Sequence, residues 1–260
     1  MEELCDKCYQ KMSVAKVILY KEIKLVSTIK HLIMKNLIKN FGLIVLAAGL
    51  MFSVTSCSKD DTPANNSNEN GNINIANLQA QINSLPMESL STSELASLTF
   101  MREEEKLARD VYITLYNKWG VNIFTNISSS EQTHMDAVLL LLNKYSLTDP
   151  VGSNAVAVFN NATLQNLYNQ LVAQGNSSVL DAYKVGATIE DLDIFDLKNA
   201  LLNNDNQDIK LVYDMLTKGS RNHMRSFYKN ILNTGGSYTP QYITQAEFDA
   251  IINSAMETGF

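Results

Sequence analysis

Residues 127–142 read ISSSEQTHMDAVLLLL, and Glu131 with His134 constrains the fold more than any other pair in the chain. On a helix, positions i and i+3 leave the same face. Val138, Leu141 and Leu142 continue that face. One carboxylate and one imidazole therefore point with core residues into an apolar interior. Burying such groups without a partner is costly or forces them neutral. The interior must hold a counter-charge: a metal ion, a proton or a cationic side chain. A second reading stays open. Ser128-x-x-Glu131 has capping-box spacing, so a helix beginning at Ser129 would make Glu131 an N-terminal cap. Ile123 and Ile127 carry the apolar stripe further upstream and favour an interior position.

The rest of the chain repeats the pattern on helices. Residues 75–85 predict a short helix stopped by Pro86, and Ser91-Thr92-Ser93-Glu94 caps a long one running to about Lys118, before Gly120. Its stripe is Leu98, Met101, Glu105, Ala108, Tyr112 and Leu115. Glu105 sits mid-stripe; Glu104 lies on the neighbouring stripe with Leu107 and Val111 and competes with it, and Glu103 points elsewhere. The Glu131 helix spans about 122–145. After the turn Asp149-Pro150-Val151-Gly152, residues 161–174 predict a shorter helix within a long connection. A third long helix, from about Asn176 to Asn203, puts Glu190 and Asp193 on an otherwise apolar face. The fourth, from about Gln207 to Leu232, carries Ser220, His223 and Phe227 on its stripe. Thr244-x-x-Glu247 caps a short terminal helix. No strand pattern is evident.

Both histidines that follow the leader thus fall on apolar helix faces, each with carboxylates to match. The halves echo each other: Glu105 precedes Glu131 by 26 positions, and Glu190 precedes Ser220-x-x-His223 by 30. From Cys57 onward there are 13 Lys and Arg against 23 Asp and Glu, which excludes a basic stripe for nucleic acid. Cys5, Cys8 and Cys57 all lie before the helices, so no disulfide framework or cysteine nucleophile is expected among them.

The first 74 residues read differently. Residues 1–33 mix charges and apolar residues without order and are expected to be a misassigned upstream extension, with Met34 the true start. Lys35 and Lys39, the apolar run 41–52 and Val54-Thr55-Ser56-Cys57 resemble a bacterial lipoprotein signal. The resemblance implies a signal peptide over 34–56 and lipidation at Cys57, with the chain held at the cell envelope, on an outer membrane or cell surface. An uncleaved membrane anchor is the alternative, although the run is shorter than the ~20 apolar residues a spanning helix needs. Ser58-Lys59-Asp60-Asp61 resembles the surface-export tag of Bacteroidetes-type lipoproteins. Residues 57–74 are rich in Asn and Ser and are expected to form a tether.

A single Glu followed by Glu-x-x-His on the next long helix is the layout of ferritin-like bundles. Glu105-Lys-Leu-Ala108-Arg109-Asp-Val-Tyr112 resembles the first helix of rubrerythrins. More closely, EEEKLARDVY, SEQTHMDAV, GATIEDLDIFDL, GSRNHMRSF and PQYI resemble domain of unknown function 2202, over about 91–252. The resemblance implies an all-α fold over 75–256: a ferritin-like four-helix bundle with a long crossover carrying an extra helix, and short flanking helices. It also implies a metal centre held by Glu105, Glu131, His134, Glu190 and His223, with iron or manganese as one or two ions and zinc as an alternative. Ser220 stands where a rubrerythrin-type site has a carboxylate, and Asp193, one turn beyond Glu190, is the expected replacement. Such a site would handle oxygen, peroxide or ferrous iron, with a small oxidant as substrate. Two other readings compete: a binding protein without chemistry, and a metal-free bundle whose buried acids pair with Arg102, Arg109, Arg221 or Arg225. Tyr112, Trp119, Tyr183 and Phe227 are expected in the core. A homodimer is compatible with the sequence.

Overall fold

The computed structural model describes residues 71–259. The expected extension, signal peptide, export tag and Cys57 lie outside the described residues. Within them the fold is all-helical: α1 Ile75–Ser84, α2 Thr92–Trp119, α3 Asn122–Lys144, α4 Ala162–Gly175, α5 Val179–Leu202, α6 Gln207–Asn233 and α7 Gln245–Ile252.

Local chemistry sets the boundaries. Ser91 and Glu94 close a capping box at the start of α2, each side chain bonding the other's backbone N–H. Gly120 ends that helix at φ 65°, a left-handed conformation that costs glycine little. Asn161 caps α4, Ser178 caps α5, and Thr244 with Glu247 forms a second capping box before α7. Helix α3 starts at Asn122, nine residues ahead of Glu131. Ser128 is therefore inside the helix, its hydroxyl turned back to the Thr125 carbonyl, and Glu131 is an interior residue rather than a cap.

The long helices pack mainly as α2 on α3 and α5 on α6, with α2–α5 and α3–α6 contacts closing the set. Two apolar clusters result. One gathers Leu107, Val111, Tyr112, Leu115, Phe124, Ile127, Tyr183, Val185, Phe227 and Ile231. The other gathers Leu98, Met101, Val138, Leu141, Leu142, Leu197, Ile209, Val212 and Leu216. Each fully buried aliphatic or aromatic side chain contributes about 1.5–3 kcal/mol. Helices α2 and α6 run from the second cluster to the first, and α3 and α5 the other way. Because α3 and α5 share a direction, the connection between them must cross the length of the molecule. It carries α4, which packs on α5 and α2. Between the two clusters, the residues on the stripes are Glu105, Glu131, His134, Glu190, Asp193, Ser220 and His223. The sequence thus leaves one polar layer inside an apolar stack.

Candidate metal centre

Helices α2, α3, α5 and α6 each deliver part of that layer, and every member is at most 5% exposed. Glu131 lies in the middle. Its Oε2 is 2.9 Å from His134 Nδ1 and its Oε1 is 2.9 Å from His223 Nδ1. Each imidazole meets one further carboxylate through the same nitrogen: His134 Nδ1 is 3.3 Å from Glu105 Oε2, and His223 Nδ1 is 3.3 Å from Glu190 Oε2. The rings stack with centroids 5.4 Å apart and 22° between planes. Two sets that could hold a metal ion follow, Glu105–Glu131–His134 and Glu131–Glu190–His223, the donor atoms of each lying within 4.8 Å of one another. They share Glu131.

The outer edges of the rings are anchored. His134 Nε2 donates to the Gly71 carbonyl at 3.0 Å. A carbonyl only accepts, so this bond puts the proton on Nε2 and leaves Nδ1 toward the carboxylates. His223 Nε2 is 3.0 Å from Ser130 Oγ. Orientation through the second nitrogen is how metal-binding histidines are usually fixed. Gly71 stands at φ 79°, and a Cβ there would lie 2.8 Å from His223 Nε2. Gly219 on α6 admits the other ring, since a Cβ would lie 2.5 Å from His134 Nε2. Residues 71–74, the end of the segment expected as a tether, thus pack on the domain, with Gly71 and Ile73 buried and the Ile73 N–H bonded to Thr133.

Asp193 falls outside both sets. Its Oδ2 accepts from the Ser220 hydroxyl, and its Oδ1 is buried without a hydrogen-bond partner, as is Oε1 of Glu105. The Tyr112 hydroxyl donates to Glu190 Oε1. Tyr112 is in the core, as expected, and it also fixes a carboxylate of the layer. Tyr183 and Phe227 are buried too, while Trp119 lies at the margin, its indole N–H bonded to the Gly175 carbonyl.

Electrostatics in the layer follow from burial and crowding. Burial raises Glu105 to about 7 against the pull of His134. Burial also opposes ionisation of Glu131, but His223 and His134 together outweigh it and hold that carboxyl well below the usual range. Burial would lower both imidazoles; Glu131 prevails and, with Glu190, raises His223 to about 10, and with Glu105 raises His134 as well. Burial, then the Glu105 charge, pushes Asp193 far upward. Without a cation, protons carry the counter-charge.

The four arginines that the competing metal-free reading would pair with these acids do something else. Arg102 forms a two-pronged pair with Asp149, and Arg109 pairs with Asp110. Arg221 and Arg225 both bind Glu257. The acid–arginine reading of the layer is thus not what the fold builds. Glu103 does point elsewhere, accepting the backbone N–H groups of Asn160 and Asn161 ahead of α4. Glu104 is buried beside Asp193 and Asp196 rather than at the histidines. Sequence reasoning missed Gly71, Ser130 and Gly219. A glycine inside α6, four residues before a histidine, was the one available signal; nothing in the local sequence marks a backbone carbonyl that arrives from upstream.

Comparison with known proteins gives the family of the chain. The chain is 56% identical over 178 residues to the uncharacterized protein MJ0754 of Methanocaldococcus jannaschii, a match covering 68% of this chain and 96% of that protein. It is also similar to the crystal structure of hypothetical protein MJ0754 from Methanococcus jannaschii, with a TM-score of 0.66 over 67% of this chain and 99% of the other. These findings correct the expected envelope localisation. The relative, an archaeal protein, is matched nearly end to end and has a crystal structure, and no helix among the described residues is long and apolar enough to cross a membrane. The family model for the uncharacterized protein domain DUF2202 matches residues 94–255, which hold every carboxylate and imidazole of the layer, and the chain belongs to that family.

Proposed function

We propose that the chain is a ferritin-like metalloprotein holding two iron or manganese ions and acting on dioxygen, peroxide or ferrous iron. One observation carries the reading: Glu131 sits between two imidazoles, each with its own second carboxylate. A mononuclear site needs no such duplication. The donor chemistry fits. Oxygen and nitrogen donors without thiolate suit iron and manganese and also accept zinc. Both imidazoles have their outer nitrogens anchored, and buried oxygens of Glu105 and Asp193 have no hydrogen-bond partner.

Glu105 with His134 would hold one ion, Glu190 with His223 the other, and Glu131 would serve both. Asp193, oriented by Ser220, would supply the carboxylate that Ser220 itself lacks. A bound redox-active ion would contribute an open coordination position and electrons. The chain does the rest. Gly71 and Ser130 fix the imidazoles, Tyr112 holds Glu190, and the apolar clusters on either side exclude water from the layer. Cation binding would displace the protons that balance the layer without it.

The test is elemental analysis of the full chain grown with iron and manganese, beside Glu131→Ala and His134→Ala. About two ions per chain, reduced in both variants, is the expected result. About one would leave Asp193 and Ser220 outside the site and break the two-ion reading. A well-folded protein that takes up none, even on reconstitution, overturns the proposal and leaves a helical bundle whose role is binding or structural.

A further inference from the structure

Glu104 is adjacent to Glu105 in sequence, but a helix turns about 100° per residue, so the two carboxylates leave α2 on different stripes. Glu104 is 3% exposed, and no N–H or hydroxyl donor reaches either of its oxygens; its hydrogen-bonding neighbour is the Asp196 carboxyl, with which it shares a proton. A buried carboxyl held only by another acid must keep a proton or take a cation, and nearby cationic side chains do not relieve it. Arg102 is taken by Asp149, and Lys106 by Asp110. The charged neighbours of Glu104 are instead two more acids, Asp193 and Asp196, one turn apart on α5. Asp193 faces the layer, within the field of Glu105. Asp196 is half-buried and lines a surface cavity of about 700 Å³ with Ser97, Phe100, Asn161 and Ala200. Acidic side chains therefore succeed one another from a surface cavity between α2 and α5 to the buried centre: Asp196, Glu104, then Asp193 and Glu105.

We propose that this file is the loading path of the centre, along which a divalent cation enters at Asp196 and is passed by Glu104 to Asp193 and Glu105. The proposal rests on the metal-binding reading above. A path and a ligand set make different demands. Ligands decide how much metal is held at equilibrium. A path decides how fast it arrives: negative charge at the Asp196 mouth raises the local cation concentration, and each inner carboxyl gives up its proton to the ion that replaces it. The partner of Glu104 suits the second role: a proton shared with Asp196 can give way to a passing ion, whereas a carboxylate bonded to an arginine would not release its partner.

The experiment mixes metal-free full-length protein rapidly with cobalt(II), whose visible absorption reports occupancy, and compares wild type with Glu104→Gln and Asp196→Asn. Final stoichiometry is expected to stay at the wild-type value in both variants, while the loading rate falls by about tenfold or more in each and loses much of its salt dependence in Asp196→Asn. Equal rates in all three proteins would overturn the path. So would loss of stoichiometry in Glu104→Gln, because that result makes Glu104 a ligand. If wild type itself binds no cobalt, the metal reading fails and the path falls with it, an outcome separable from the others by the wild-type endpoint alone. Asp196→Asn, at a half-exposed position, keeps the test open should Glu104→Gln not fold.

Discussion

Two groups of buried charge share helix α2, and they are built in opposite ways. At Lys106 and Asp110 every charge is met: Asp110 accepts from Lys106, from Arg109 and from the Ala157 N–H, and the Lys106 ammonium also donates to the Ala155 carbonyl. At Glu104 and Glu105, on the preceding turn, carboxyls face other carboxyls, and no N–H or hydroxyl donor reaches three of their four oxygens. Both groups are as deeply buried. Depth therefore does not separate the two groups; the donors that reach them do. The first group ties the long α3–α5 connection to α2. The second keeps capacity for something that must come and go.

That contrast is open to measurement. The largest effect belongs to the satisfied group. Asp110→Ala strands Lys106 in the interior and should lower stability by about 3–5 kcal/mol in urea denaturation; a change below about 1 kcal/mol would erase the distinction drawn here. Glu94, another satisfied acid on α2, gives a smaller and pH-dependent effect. Burial pushes its carboxyl up, but the Ser91 hydroxyl and the N–H groups of Ser91, Asp205 and Asn206 prevail and hold it below its ordinary value. A carboxyl depressed in the folded state stabilises above its unfolded value, near 4.5, and loses that contribution as pH falls through the folded value. Glu94→Gln should thus cost about 1 kcal/mol at pH 7, and the gap between variant and wild type should close as the titration goes below pH 4.5. The smallest effect, and the one of opposite sign, belongs to the unsatisfied group. Glu104→Gln in the metal-free protein removes a carboxyl crowded by Asp193 and Asp196, and should leave stability unchanged or raise it by up to about 1 kcal/mol. A loss like that of Asp110→Ala would show that the contact of Glu104 with Asp196 holds the fold together.

Much of this was legible before any coordinates. The helix boundaries followed from Ser91, Gly120, Ser178 and Thr244, whose side chains or conformations act within one turn of themselves. Stripe spacing put Glu105, Glu131, His134, Glu190 and His223 on inward faces, and the fold brings those five together. What could not be read was pairing across the chain. Arg102 and Arg109 sit among the acids in sequence, and the destinations of their guanidinium groups depend on where residue 149 returns and on how Asp110 is turned. Asp193 was legible as an inward acid but not as the partner of Ser220, a contact fixed by the approach of α5 to α6.

One contact changes how the domain should be delimited. The family match begins at residue 94, yet the acceptor that fixes the His134 tautomer is the carbonyl of Gly71. A fragment cut at the edge of the family match would keep every donor atom of the layer and lose the clamp on one of them, along with Ile73 and the Thr133 bond beside it. Such a fragment would retain the recognisable helices and still be an incomplete copy of the site. The working unit is longer than the recognisable one, and its upstream margin is set by a backbone oxygen that no residue-type comparison can see.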